Sequence, residues 1–229
     1  MVDASQGYTV ENLQAESVDG PEPTLPYGLS VEATVAPYWF RVTGWEVCPA
    51  NELFAWLHRR EQIELLRWAS APELPAGDVL EIGAGWGASG TLLAHGNAAR
   101  GRGGGVWSLD ICEGFQRDWV QRALRPAGVA CVTATSETFT EWPVLRLAFV
   151  DGDHSAEWAW RDIENVARHV VSGGVVLLHD CHDDIGRGQP GPSEVWEAAR
   201  QRGYLEMGGA RLIPDPPLVC TLARFRVER

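Results

Sequence analysis

The run Leu147-Ala148-Phe149-Val150 stops abruptly at Asp151-Gly152-Asp153-His154, and this stretch constrains the fold more tightly than any other. An unbroken apolar run of this length reads as a strand buried on both faces, as in the interior of a parallel sheet. Parallel strands need crossover connections, usually helical. The flanking sequence supplies them, because strand-like and helix-like segments alternate from Asp78 onward. Strands are expected at 79–82, 106–109, 129–133, 145–150 and 175–178, with two more near 204–208 and 218–227. Helices are expected at 51–69, 87–97, 115–125, 156–171 and 193–202. The alternation predicts an α/β fold with a doubly wound, mostly parallel seven-stranded sheet. Ligands of such sheets bind outside the carboxyl ends of the strands, where the Asp-Gly-Asp-His cluster falls.

Ahead of this pattern lies a different kind of chain. Residues 1–40 carry six acids (Asp3, Glu11, Glu16, Asp19, Glu22 and Glu32) and no base before Arg41. Pro21, Pro23 and Pro26 forbid a continuous helix there. Residues 1–50 therefore read as an acidic N-terminal arm, compatible with a lid or with a segment exchanged in a homodimer. The folded domain is expected over 51–229. It opens with an amphipathic helix whose apolar surface comes from Leu53, Phe54, Leu57, Ile63, Leu65, Leu66 and Trp68.

Composition narrows the chemistry. All 19 basic residues are Arg, which excludes Schiff-base catalysis and a Walker phosphate loop, since both need Lys. A net charge of −12 argues against a nucleic-acid partner and suits a small neutral or cationic substrate. The five cysteines contain no CxxC pair, so neither a zinc knuckle nor a disulfide framework is indicated. With no signal-like start and no apolar run approaching a membrane span, the expectation is a soluble, cytoplasmic protein without a membrane partner.

Two further motifs follow strands. Val79-Leu80-Glu81-Ile82-Gly83-Ala84-Gly85-Trp86-Gly87 is a Gly-rich strand–helix turn, whose glycines let the backbone approach a ligand at a helix N-terminus. Such turns serve both dinucleotides and S-adenosylmethionine. Glu81 favours the second, because an acid suits a cationic amino group and would repel a pyrophosphate. Asp110 ends the next strand, where a carboxylate can accept both ribose hydroxyls or, equally, cap the following helix. After the fifth strand comes His179-Asp180.

Taken together, VLEIGAGWG at 79–87, VWSLD at 106–110, FVDGDHS at 149–155 and GGVVLLHD at 173–180 resemble class I S-adenosylmethionine-dependent methyltransferases. The last two segments resemble bacterial small-molecule O-methyltransferases, including metal-dependent enzymes that methylate sugars. The resemblance implies a Rossmann-like methyltransferase fold over 78–227. It also implies transfer of a methyl group from S-adenosylmethionine to a hydroxyl of a sugar or hydroxylated natural product. Its implied cofactor contacts are Glu81, Gly83, Gly85, Gly87, Asp110 and Asp151, with Ser136 near the adenine. Its implied magnesium ligands are Asp151 and Asp180, with His179 standing where several relatives have an acid. Imidazole is a poorer magnesium ligand than carboxylate, so His179 reads equally as a ligand or as a residue behind one. His154 matches the catalytic base of the sugar-methylating relatives, and an imidazole there could take a hydroxyl proton near neutral pH. Asp153 is expected to orient His154 or to bind substrate. Two other classes remain: an NAD(P)-dependent oxidoreductase, and a catalytically silent methyltransferase-like binding module.

Overall fold

In the computed structural model, the described residues are 57–229 other than 102, 113–117, 119, 122–123 and 183–187, together with strand residues 40–42, 45–48 and 53–54. Three short strands, β1 (Phe40–Val42), β2 (Trp45–Cys48) and β3 (Leu53–Phe54), form a small antiparallel sheet. The helix expected at 51–69 consequently begins later, as α1 (Arg59–Ser70), because Leu53 and Phe54 pair with Cys48 and Val47. Glu61 fixes the new start by accepting the His58 backbone N–H at 2.8 Å, one of the donors a helix N-terminus leaves without an internal partner. The rest of the expected acidic arm lies outside the described residues.

The main body follows as β4 (Asp78–Ile82), α2 (Ala88–Arg100), β5 (Val106–Asp110), β6 (Val129–Thr133), β7 (Leu145–Val150), α3 (Ala156–His169), β8 (Val170–Leu178), α4 (Pro190–Arg202), β9 (Leu205–Met207), β10 (Ala210–Pro214) and β11 (Ala223–Glu228). The sheet order is β6-β5-β4-β7-β8-β11-β10-β9. The first five strands are parallel and the last three antiparallel. The doubly wound, mostly parallel sheet is thus present, with eight strands in place of the expected seven. The extra strand comes from Gly208 and Gly209, whose φ of +60° and +73° fold the segment after 204 into the β9–β10 hairpin. Of the helix expected at 115–125, residues 118, 120, 121 and 124 are helical and the others lie outside the described residues.

The pleat sorts the strand side chains into two cores. Val79, Leu147, Phe149 and Leu177 join Leu65 and Leu66 of α1 and Leu92 and Leu93 of α2. The alternate residues Leu80, Ile82, Ala148, Val150 and Val176 pack with Ile163 and Val166 of α3 and Val195 and Trp196 of α4 on the opposite face. Full burial on both faces explains why β7 has no polar alternation except Arg146. Arg146 donates from Nη2 to Ala69 O and Asn97 Oδ1, tying the sheet to the end of α1 and to α2.

Register then places the candidate residues. Ile82 pairs with Leu109 and with Val150, and Val150 pairs with Leu178. The next residues, Gly83, Asp110, Asp151 and His179, therefore leave the sheet along one edge. The chain winds outward from β4 to β6 and returns at β7 beside β4, which makes this edge the topological switch point. Among the described residues, no helix is long and apolar enough to cross a membrane. Cys131 and Cys181 are free thiols.

Candidate active site

The loop after β4 is held against the loop after β7. Gly83 has φ +90°, and a Cβ there would stand 1.9 Å from Asp151 O. Asp110 reaches back across the same loop. Its Oδ2 accepts the Gly85 backbone N–H at 3.0 Å, and its Oδ1 accepts Cys112 N–H at 2.7 Å. Gly87 is the left-handed N-cap of α2 (φ 90°). A shallow cleft beside the loop is lined by Ala84, Ser108, Asp110, Gln121, Cys131 and Thr133.

Glu81 differs from expectation in its surroundings. Being alternate to Leu80 and Ile82, its side chain turns under α2, where it has no solvent exposure. Its Oε1 accepts the Ser89 hydroxyl at 2.8 Å, and its Oε2 makes no hydrogen bond. Burial pushes this carboxyl up to about 8. Ser136 is likewise buried. Its hydroxyl donates to Asp162 Oδ1 at 2.6 Å and accepts from Asn165 Nδ2 at 3.0 Å, so it ties the loop after β6 to α3.

Asp162 yields a measurable consequence. Burial raises its pKa to about 6, above the ordinary carboxylate range. A carboxyl with a raised folded-state pKa binds more protons folded than unfolded, so stability falls as pH rises across that window. Asp162→Asn keeps an acceptor for Ser136 and cannot ionise. Relative to wild type it should gain about 2–3 kcal/mol between pH 4 and 7. Urea denaturation at a series of pH values would measure this, and a pH-independent difference would refute the assignment.

The cluster after β7 and β8 is tighter. Asp151, His154 and Asp180 each bring a ligand atom within 4.8 Å of the others. His154 Nε2 stands 3.2 Å from Asp180 Oδ2 and 3.5 Å from Asp151 Oδ1, yet it is buried and makes no hydrogen bond. The Asp151 carboxylate raises the His154 pKa against the opposing effect of burial. Burial alone would raise Asp151, but the imidazoles of His179 and His154 hold it below the usual carboxylate range. Asp180 is aimed into the cluster by a backbone φ of +57°, a left-handed conformation that side chains other than Gly adopt at a cost. The N-terminus of α4 holds His154 from the other side. Gly191 N–H donates to His154 O at 3.2 Å, and a Cβ on Gly191 would meet that oxygen at 2.5 Å.

His179 is not placed as a ligand. It is 5% exposed, with Nδ1 3.0 Å from Asp151 Oδ1 and Nε2 3.2 Å from Glu61 Oε2. Burial disfavours its charged form, but the two flanking carboxylates outweigh that and hold its pKa well above the ordinary value. Of the residues expected as ligands, Asp151 and Asp180 converge with His154, while both nitrogens of His179 face carboxylates of Asp151 and Glu61. Asp153 is exposed, and its Oδ1 accepts Ser155 N–H at 2.8 Å, a turn that presents His154. Trp158 is half-buried, with the Arg161 guanidinium 5.3 Å from its ring centroid.

Sequence reasoning missed Glu61 and Thr221. Glu61 Oε1 accepts both Thr221 N–H (2.8 Å) and Thr221 Oγ1–H (2.7 Å). The available signal was an acid at 61 on the stripe of Leu65 and Trp68, at positions i+4 and i+7 of a helix.

Residues 80–181 match the profile of a methyltransferase domain family. This core is similar to a methyltransferase domain. Its fold is that of the class I S-adenosylmethionine-dependent methyltransferases, as the four motifs implied. Solved structures bear the fold out. Cofactor-bound Rv0187 from MTB is 20% identical over 96% of this chain and 97% of its own, with a TM-score of 0.55. Apo CalS11, a TDP-rhamnose 3′-O-methyltransferase of calicheamicin biosynthesis, is 15% identical over 72% of this chain and 76% of its own, at 0.53. The O-methyltransferase from Bacillus cereus, in complex with S-adenosylhomocysteine, is 17% identical over 74% and 80%, at 0.51. The matched segment carries most of β4, all of β5 to β8 and the whole Asp151–His154–Asp180 cluster, while α1, with Glu61, and Thr221 lie outside it.

Proposed function

We propose that the protein transfers the methyl group of S-adenosylmethionine to a hydroxyl of a small molecule, a sugar or hydroxylated natural product, with His154 as general base. The observation that carries this reading is the convergence of Asp151, His154 and Asp180 beside the Gly83–Gly87 loop at the switch point of the sheet. Gly83, Gly85 and Gly87 line the cofactor, Asp110 takes the ribose hydroxyls after releasing Gly85, and Ser136 shapes the adenine end. Glu81 supports the loop from beneath, held to Ser89 at the start of α2. Methyl transfer needs the acceptor oxygen, methyl carbon and sulfur in line, and a group to receive the hydroxyl proton. The neutral His154 Nε2 is that group. Asp180 and Asp151 steer it and keep the imidazolium stable once the proton arrives.

The donor set also fits a divalent cation. Two carboxylates supply hard oxygen ligands, and the orphaned Nε2 of His154 faces the space between them. Asp151 and Asp180 would hold magnesium, and such an ion lowers the pKa of a hydroxyl bound to it. CalS11 and the Bacillus cereus enzyme are O-methyltransferases by name, which supports oxygen as the acceptor atom.

Calorimetric titration with S-adenosylhomocysteine and with NAD(P) tests the cofactor, and binding of NAD(P) alone would sink the reading. Methyl transfer from labelled S-adenosylmethionine to a panel of nucleotide sugars and hydroxylated aromatics tests the reaction. Chelation with EDTA should abolish transfer, and magnesium should restore it. Transfer that survives EDTA removes the cation from the mechanism and leaves His154 to act alone. Cofactor binding without transfer to any of the panel would favour the silent binding module.

A further inference from the structure

Behind the cluster lies a second tier of buried polar groups for which methyl transfer itself needs no side chain. Glu61 has no solvent exposure, although it is an ionisable residue in the first turn of a helix. Both its oxygens are occupied: Oε1 by Thr221 N–H and Oγ1–H, Oε2 by His58 N–H and His179 Nε2. His179 passes the contact on, from Nδ1 to Asp151 Oδ1. The sequence separations are 118 residues from Glu61 to His179 and 160 to Thr221, so the chain of contacts joins three distant segments.

Burying an acid and an imidazole costs free energy that an apolar pair of similar volume would avoid. What the polar pair supplies is direction. An imidazole with a carboxylate on each nitrogen has one ring orientation, and that orientation fixes which Asp151 oxygen it engages. We propose that Glu61 is a positioning residue for Asp151, acting through His179 and anchored by Thr221. The proposal rests on the reading of Asp151 and Asp180 as the cation-binding carboxylates. It gives α1 and the turn before β11, which lie outside the segment matched by the family profile, a part in the site.

The test uses the full chain and Mn2+ alone as the probe, so it needs no acceptor. Glu61→Gln keeps an oxygen for Thr221 but replaces the His179-facing carboxylate oxygen with an amide. Removing an outer partner of a metal ligand weakens metal affinity by about 10–100-fold, and that is the loss expected for Mn2+ in this variant. Affinity for S-adenosylhomocysteine should stay within about twofold, since no contact of the Gly83–Gly87 loop is altered. In 15N-histidine-labelled wild type, two His179 ring N–H signals should be visible, identified by their absence in His179→Gln. In Glu61→Gln the Nδ1–H signal should move as well as the Nε2 signal, a response that loss of general stability would not produce. Thr221→Val removes one of the two hydrogen bonds on Oε1 and should weaken Mn2+ binding less, by about threefold. It carries the test if Glu61→Gln does not fold. Mn2+ bound equally well by wild type and by both variants overturns the positioning role alone. Failure of wild type itself to bind Mn2+ overturns it together with the cation reading, and so is told apart.

Discussion

His154→Ala should lower methyl transfer by about 10²–10⁴-fold, the range a lost general base accounts for, with S-adenosylhomocysteine affinity unchanged. The expectation follows from where the imidazole is held. Its backbone oxygen is pinned by Gly191 at the start of α4, and its Nε2 points at Asp151 and Asp180 rather than at the Gly83–Gly87 loop. Removing the ring therefore takes away a proton acceptor without disturbing the glycines. His154→Gln sharpens the experiment, because an amide fills similar space and hydrogen-bonds but cannot take up a proton at neutral pH. Steady-state kinetics with S-adenosylmethionine varied should show kcat falling in both variants at nearly constant KM. With the acceptor varied, a rise in KM at unchanged kcat would mean that His154 binds the acceptor instead, and kcat and KM both within about threefold of wild type would remove it from the mechanism.

The edge of the sheet was legible in the sequence because every interior strand announces itself twice. The apolar runs at 79–82, 106–109 and 145–150 are too short for helices, and each ends in Gly or Asp. Once the strands are parallel, the ends of neighbouring strands share an edge, so Gly83, Asp110, Asp151 and Asp180 needed no contact information to be grouped. What lies one layer behind was not legible. Glu61 meets His179 across 118 residues, and nothing local to either position distinguishes that partner from water. His179 illustrates the limit. Its position after β8 suggested a ligand or a residue behind one, and the carboxylate at its far nitrogen, which favours the second, comes from a helix 118 residues away.

The misreadings have local causes. Leu53, Phe54 and Leu57 fit a helical stripe as well as a short strand, and pairing with β2 decided for the strand at 53–54. Glu81 was read from its distance to the glycines, whereas its side chain follows the pleat. Leu80 and Ile82 point to one core, so Glu81 must point to the other, beneath α2. That alternation was present in the sequence. Gly208-Gly209 between two strand-like stretches was likewise a hairpin signal.

Gly83→Ala should be the most damaging single change in the glycine loop, costing about 4 kcal/mol or more, or preventing folding outright. Two costs combine there. A left-handed φ costs a side chain about 1–2 kcal/mol. The larger cost is steric, because the new methyl would lie 1.9 Å from Asp151 O and 2.6 Å from Asp151 C, both backbone atoms that cannot rotate away. Relief requires parting the loop after β4 from the loop after β7, which breaks the Asp151 N–H to Ile82 O hydrogen bond of 2.9 Å. Gly85→Ala separates the two costs. Its φ is +52° with nothing within 4 Å of an added Cβ, so it bears the conformational cost alone, about 1 kcal/mol. Chemical denaturation of the two variants should therefore differ by about 3 kcal/mol. Equal losses would show that backbone conformation, and not the approach of the two loops, makes Gly83 necessary. A large loss only at Gly83 would locate the tightest contact of the active site between the glycine turn and the residue that carries the first carboxylate.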